Sequence, residues 1–243
     1  MDSKQRKILK YIYGPVSSWR LGSSLGIDPI SSDRKICTFD CVYCQLGPTD
    51  TFSKERKIYV ETEKIIEEIK SLSHVKFDYI TFSGRGEPTL AKNLGELIKA
   101  VRDLRKEKIA VLTNSSLMNR EDVREDLSLT DFVIAKLDVP SQELLDIINK
   151  PVQNIKFQDI IEGIKKFKAE YEGRLALQIM FIDENEDKGK ELATIAEGIK
   201  PDELEINTPL RPCKVKPLPK EEISEIKKHF LDIPAFDGTI VTV

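Results

Sequence analysis

Apolar residues recur along this chain with two alternating periods. Ile65, Ile66, Ile69 and Leu72 form one stripe over 61–72, and Leu94, Leu97, Ile98, Val101 and Leu104 form another. Ile160, Ile161, Ile164 and Phe167 form a third. Spacings of three and four put each set on one face of an amphipathic helix. Further helices are predicted from near Asn119, over 188–199 and over 221–230, and Pro151 separates two helical pieces. Between them lie short runs with the period of two expected of strands: 77–83, 109–114, 132–138, 174–181 and 203–207. An earlier strand is placed at 23–30, although its glycines and serines are poor strand formers.

Strands separated by helices of this length imply βαβ units and a parallel sheet, about six units in all. Leu175, Leu177, Ile179 and Phe181 share one face of their strand, and Ala176, Gln178 and Met180 share the other. Lys136 and Asp138 likewise oppose Val133, Ala135 and Leu137, and Glu205 and Asn207 oppose Leu204 and Ile206. One face is apolar and meets helices. The other turns polar towards the C-terminal ends of the strands, which suits an incomplete α/β barrel with a polar mouth. The stretch from Gln45 to Tyr59 reads as a loop long enough to cover a site. A single domain over 1–243 is expected.

Composition narrows the function. With 40% hydrophobic and 33% charged residues, the 243-residue chain can bury a sizeable core. No apolar run approaches the length of a membrane span, and no signal peptide is read at the start, so a cytoplasmic location is expected. The net charge of −3 does not favour a nucleic-acid partner, although a local basic patch stays open.

Three of the four cysteines fall within eight residues: Cys37, Cys41 and Cys44, a C-x3-C-x2-C loop. Cysteines so close cannot staple a chain of this size and read as metal ligands. Soft thiolates suit iron–sulfur chemistry. Three of them hold three irons of a [4Fe–4S] cluster and leave the fourth open to the amino and carboxylate groups of S-adenosylmethionine (SAM). The alternatives are a zinc site, which lacks an obvious fourth ligand beyond Cys213, His74 or His229, and incidental clustering. Cys213, without a neighbour in sequence, reads by default as an inert buried thiol.

Other candidates follow the strands. Ser83-Gly84-Arg85-Gly86-Glu87-Pro88 is a turn where Gly86 lets backbone approach a ligand and Glu87 can accept from an ammonium; a plain strand-to-helix turn is the alternative. Asn114 and Ser115 either bind SAM or cap the following helix. Asp138 can hold a ribose and Lys136 a carboxylate, or the two form an ion pair. Tyr43 can pack on adenine, and Gln178 and Asn207 face the same mouth. Arg211 can clamp an anionic substrate, and Arg20, within a basic segment before the cysteines, can do the same; ordinary solvated charges are the alternative for both.

The cysteine loop, the Gly-Arg-Gly-Glu-Pro-Thr turn and the βα units together resemble the radical SAM superfamily, which implies a partial (βα)6 barrel of the TIM-like kind. More narrowly, Tyr13 to Val16, Arg20 to Gly26, Cys37 to Gly47 (CTFDCVYCQLG), Gly86 to Thr89, Asn207 to Pro209 and Arg211-Pro212 are similar to the wyosine-synthetase-related group. The resemblance implies cluster ligation by Cys37, Cys41 and Cys44, a SAM ammonium contact at Glu87 and a ribose contact at Asp138. It also implies reduction by an external one-electron donor of the flavodoxin or ferredoxin type. That group's tRNA-modifying members carry a second set of three cysteines upstream, and no cysteine precedes Cys37 here. The substrate therefore stays open: tRNA guanine modification and activation of a glycyl-radical enzyme are the enzymatic alternatives. A non-catalytic electron-transfer protein, with Cys213 as fourth ligand, is the alternative of another class.

Overall fold

The computed structural model describes residues 9–72, 74–231, 233 and 238–242. β1 (Ile12–Ser18) and β2 (Gly22–Ile27) form an antiparallel hairpin. A two-stranded ribbon follows, β3 (Ile36–Cys37) with β4 (Thr51–Phe52). The remaining strands are β5 (Tyr79–Phe82), β6 (Lys108–Thr113), β7 (Phe132–Lys136), β8 (Arg174–Met180), β9 (Glu203–Asn207) and β10 (Thr239–Thr242). They continue from β2 in one eight-stranded sheet ordered β1-β2-β5-β6-β7-β8-β9-β10, parallel from β2 onward. Among the described residues β1 and β10 do not pair, so the sheet is an open, partial barrel.

The helices are α1 (Thr62–Lys70), α2 (Leu94–Leu104), α3 (Glu121–Ser128), the single turn α4 (Gln142–Leu144), α5 (Phe157–Glu170), α6 (Gly189–Ile199) and α7 (Lys220–Leu231). Apart from α4, which has no buried residue, each connects parallel strands and turns its apolar residues inward. Ile65 and Ile69 of α1, Leu94, Leu97, Ile98 and Val101 of α2, and Ile160, Ile164 and Phe167 of α5 join one core with Leu175, Leu177 and Ile179 of β8 and with Phe181 just after it. Burial of each such side chain contributes about 1.5–3 kcal/mol, so these stripes fix the layer. Leu104, in the predicted stripe of α2, is instead exposed in its last turn. A smaller cluster on the opposite face of the sheet, Leu21, Ala110, Phe132, Ile134 and Ala176, fills part of the barrel interior.

Four differences from the sequence-based expectation bear on the site. β1 escapes the pattern because Gly14-Pro15 interrupts it; proline is tolerated there because β1 is an edge strand. β10 is also absent from that expectation. β7 stops at Lys136, two residues short of 138, because the Asp138 side chain turns to accept from the Met180 N–H (2.8 Å). The stretch after Cys44 is framework rather than cover. Gln45 and Leu46 line the cavity described below. From Thr51 on, the chain is pinned by Thr51 N to Lys35 O (3.0 Å), Ser53 N to Cys37 O (3.1 Å) and Arg56 to the Thr89 and Ala91 carbonyls (both 2.9 Å).

Candidate radical SAM site

The cysteine loop leaves the C-terminal end of β2 and is held from two sides. On one side the segment after α4 clamps it: Asp40 N bonds Asn149 O (2.9 Å), Val42 N bonds Ile148 O (2.9 Å) and Val152 N bonds Thr38 O (2.8 Å). On the other side Ile36 N bonds Arg85 O (3.3 Å) and Glu87 N bonds Ile36 O (3.2 Å). Gly86 makes this contact possible. Its φ is +152°, and a Cβ there would lie 1.8 Å from the Ile36 carbonyl oxygen. The expected close approach of backbone to a ligand is thus an approach to the cysteine loop itself.

Glu87 is buried and heavily bonded. One oxygen accepts from Thr89 N (3.1 Å), Thr89 Oγ1 (2.8 Å) and Thr113 Oγ1 (2.7 Å); the other accepts from Asn114 N (2.7 Å). It therefore ties the turn after β5 to the end of β6, and its second oxygen keeps acceptor capacity towards the cavity. Burial pushes its carboxyl up while these bonds pull it down, with the upward push larger.

Asn114 does not cap a helix. Its Nδ2 donates to Thr38 Oγ1 (2.6 Å) and lies 3.6 Å from Cys37 Sγ, while α3 begins later, after Arg120. Ser115 sits at φ +68° with a buried, unbonded hydroxyl and does not line the cavity. Asp138 is a hub: it accepts from Tyr43 OH, from Asn149 Nδ2 (2.9 Å) and from Met180 N (2.8 Å), and Lys136 Nζ lies 3.4 Å away. It does not line the cavity itself; the ion pair with Lys136 is formed, and Asp138 supports Tyr43. Lys136 also sits 4.6 Å above the Tyr43 ring.

Cys37, Cys41 and Cys44 all line one cavity of about 750 Å³ that runs through the barrel interior. Tyr43, Gly86, Glu87, Asn114, Lys136, Gln178, Asn207, Arg20 and Arg211 line it as well. Cys213 does not; its Sγ donates to Val215 O (3.2 Å) beside the core. Two side-chain amides approach the cysteine sulfurs, Asn114 to Cys37 and Asn149 to Cys41 (3.4 Å). Burial, and then the Glu87 carboxylate, push the Cys37 thiol up to about 12. Cys41 is also raised, by burial and then Asp138. Both are thiols at neutral pH until a metal displaces the proton. Among the described residues, no three His, Cys, Asp or Glu side chains converge to hold a single ion. A cluster makes a different demand, one thiolate per iron.

Sequence reasoning missed Thr38, which accepts from Asn114 and from Ser116 Oγ (2.7 Å), and Asn149, which reaches Cys41, Tyr43 and Asp138. Thr38 lies inside the cysteine motif, where any side chain is a candidate. Asn149 carries no local signal, since its partners are far away in sequence.

Residues 34–196 match the Radical SAM superfamily, and the chain belongs to that superfamily as a radical-SAM-type enzyme. Among individual proteins it is 43% identical over 214 residues to the UPF0026 protein slr1464 of Synechocystis sp., covering 86% of this chain and 78% of that one. It is 38% identical to the UPF0026 protein MJ1312 of Methanocaldococcus jannaschii, over 91% and 71%. Among solved structures, Streptococcus suis SuiB bound to S-adenosylmethionine superposes with a TM-score of 0.66 at 15% identity, over 86% of this chain. The chain spans about half of SuiB, 48%. Archaeal TYW1 gives 0.60 at 18% identity, over 86% and 72%. Both likenesses are of fold. Among the described residues no helix is long and apolar enough to cross a membrane.

Proposed function

We propose that this chain, as one radical SAM domain, holds a [4Fe–4S] cluster through Cys37, Cys41 and Cys44 and binds SAM in the adjoining cavity. The carrying observation is that the three cysteines open into the same cavity as Glu87 and Asn114, at the C-terminal ends of β2, β5 and β6. The donor set fits: three soft thiols and two amide N–H groups directed at their sulfurs. When bound, such a cluster supplies the electron that cleaves SAM to methionine and a 5′-deoxyadenosyl radical, which takes a hydrogen atom from the substrate.

The protein's own residues position and exclude. Cys37, Cys41 and Cys44 leave one iron for SAM. The second Glu87 oxygen receives the ammonium of SAM. Asn114 holds the loop through Thr38 and lies within reach of the same ligand. Tyr43, fixed by Asp138 and Asn149, walls the cavity beside the last cysteine with Lys136 over its ring, and Gln178 and Asn207 line the far side. An external flavodoxin or ferredoxin supplies the electron.

The test is anaerobic cluster reconstitution followed by SAM and dithionite. Release of 5′-deoxyadenosine by the wild type, abolished in Cys41→Ala, is the expected result. A fully loaded cluster that yields none overturns the reading.

A further inference from the structure

The end of the cavity away from the cysteines is unlike the rest. Arg20 leaves the turn between β1 and β2, at the N-terminal end of the parallel strands, and enters the barrel interior. Its guanidinium lies 4.6 Å over the Trp19 ring and 3.5 Å from Glu205 Oε2, which also accepts from Gln178 Nε2 (2.7 Å). This floor is built but unfinished. Glu205 Oε1 and Asn207 Oδ1 are both buried without a hydrogen-bond partner among the described residues, and Arg20 Nη1 has only the 3.5 Å ion pair with Glu205 Oε2. Glu205 and Asn207 are 0% and 3% exposed, so such orphaned atoms are costly unless water or a ligand meets them.

The charge of the lining points the same way. Six basic side chains line the cavity, Lys10, Arg20, Lys35, Arg85, Lys136 and Arg211, against two acidic ones, Asp28 and Glu87. Both acids are buried and occupied by hydrogen bonds from their own surroundings. The chain as a whole carries −3, so the excess of cations is particular to this space. Arg20, Glu205, Asn207 and Arg211 also fall outside the residues 34–196 that match the superfamily.

We propose that Arg20 is the specificity-determining anchor for an acid group of the substrate, carboxylate or phosphate. Arg211 is a second cation at the rim, and Glu205, Gln178 and Trp19 hold the Arg20 guanidinium in place. The assignment rests on the cavity's being the substrate site of a radical SAM enzyme. A guanidinium stacked on one face and paired on one edge keeps its remaining N–H groups aligned for a two-point contact. The unbonded oxygen of Asn207, which lines the cavity, then accepts from a hydroxyl or amino group beside that acid, so a bare anion fills only part of the floor.

Trp19 is the chain's single tryptophan, which makes the stack on Arg20 its own reporter. The full chain, after anaerobic cluster loading, is titrated with inorganic phosphate and separately with succinate, at ionic strength held constant with sodium chloride. Tryptophan emission and heat of binding are read together. A saturable response to at least one anion is expected, weakened tenfold or more in Arg20→Gln/Glu205→Gln, which removes both charges and leaves no unpaired ion in the barrel. Arg211→Gln, on the exposed rim, weakens it about threefold. Saturation by phosphate alone identifies a phosphoryl group, and by succinate alone a carboxylate. A response that sodium chloride reproduces, or equal affinity in the double variant, overturns the proposal. The titration needs no SAM cleavage. An intact anion response with no 5′-deoxyadenosine overturns the cofactor reading alone, and the reverse overturns only the role of Arg20.

Discussion

Two sides of the barrel interior, around the same cavity, treat their buried carboxylates in opposite ways. On the cysteine side, Glu87 accepts four hydrogen bonds and Asp138 accepts three, all from groups of the chain itself. On the far side, Glu205 accepts one, from Gln178, and leaves an oxygen orphaned. On the first side most of the acceptor capacity holds a loop in place, and only the second Glu87 oxygen, with one bond, stays open to the cavity. The second has polar capacity that the fold does not consume. A buried polar group that is fully bonded reads as framework, and one that is not reads as a place for water or a ligand.

Substitutions separate the walls, beginning with the largest effect. Cys41→Ala removes one thiolate of three; cluster iron and 5′-deoxyadenosine release are expected to fall to background by iron analysis and chromatography. If Cys213→Ala, outside the cavity lining, has the same effect, the electron-transfer alternative with Cys213 as fourth ligand returns. Gly86→Ala forces a Cβ into the Ile36 carbonyl at a φ of +152°, and roughly 3 kcal/mol of stability should go with it, read by denaturant unfolding. A mild result there would mean that the turn does not fix the cysteine loop.

Glu87→Gln places an amide where four donors converge, which should cost about 1–3 kcal/mol. For a chain of this size that is on the order of 5 °C in Tm, and SAM affinity should drop as well. A loss of SAM affinity with Tm unchanged would make Glu87 a ligand contact only and dissolve the contrast between the walls.

Glu205→Gln tests the other wall through pH. Burial above all pushes the Glu205 carboxyl up to about 7, against the pull of Arg20. The folded chain then holds a proton that the unfolded chain releases near the ordinary carboxylate value of about 4.3. Between those two values the native state binds more protons than the unfolded one, so this group's contribution to stability falls as pH rises, by up to about 3 kcal/mol. Unfolding free energies measured from pH 4 to 8 should therefore show a shallower decline in Glu205→Gln than in the wild type. Identical slopes would mean that Glu205 is ionised throughout and that the fold occupies its wall as fully as the other.

Much of this was legible in the sequence. The period-two runs located β5 through β9 because each strand has one face under helices, and the stripes of Ile160, Ile164 and Phe167 or of Leu94, Leu97 and Ile98 located the helices for the same reason. The hairpin strand β1 was hidden by Gly14-Pro15, and β10 by its shortness and its place at the sheet edge. Within the site, spacing pointed to Glu87 and Asn114 as strand-end groups but gave no sign of their bonds to the rest of the chain. Glu87 meets Thr113 and Asn114 from 26 and 27 residues away, and Asn149 meets Tyr43 from 106. Ser115 and Asp138 stand at strand ends but do not line the cavity, and Asp138 instead bonds Tyr43 and pairs with Lys136, which do.

By itself the sequence determined the parallel α/β order and a C-x3-C-x2-C loop, because periodicity and ligand spacing are properties of neighbours along the chain. Only the tertiary structure decided that the far wall of the cavity is a stacked and paired Arg20 beside unbonded oxygens. It likewise decided that a chain of net charge −3 lines this cavity with cations. Those facts depend on a hairpin turn near residue 20 meeting a strand near residue 205, and on which buried groups find partners there. Distance in sequence carries no record of either.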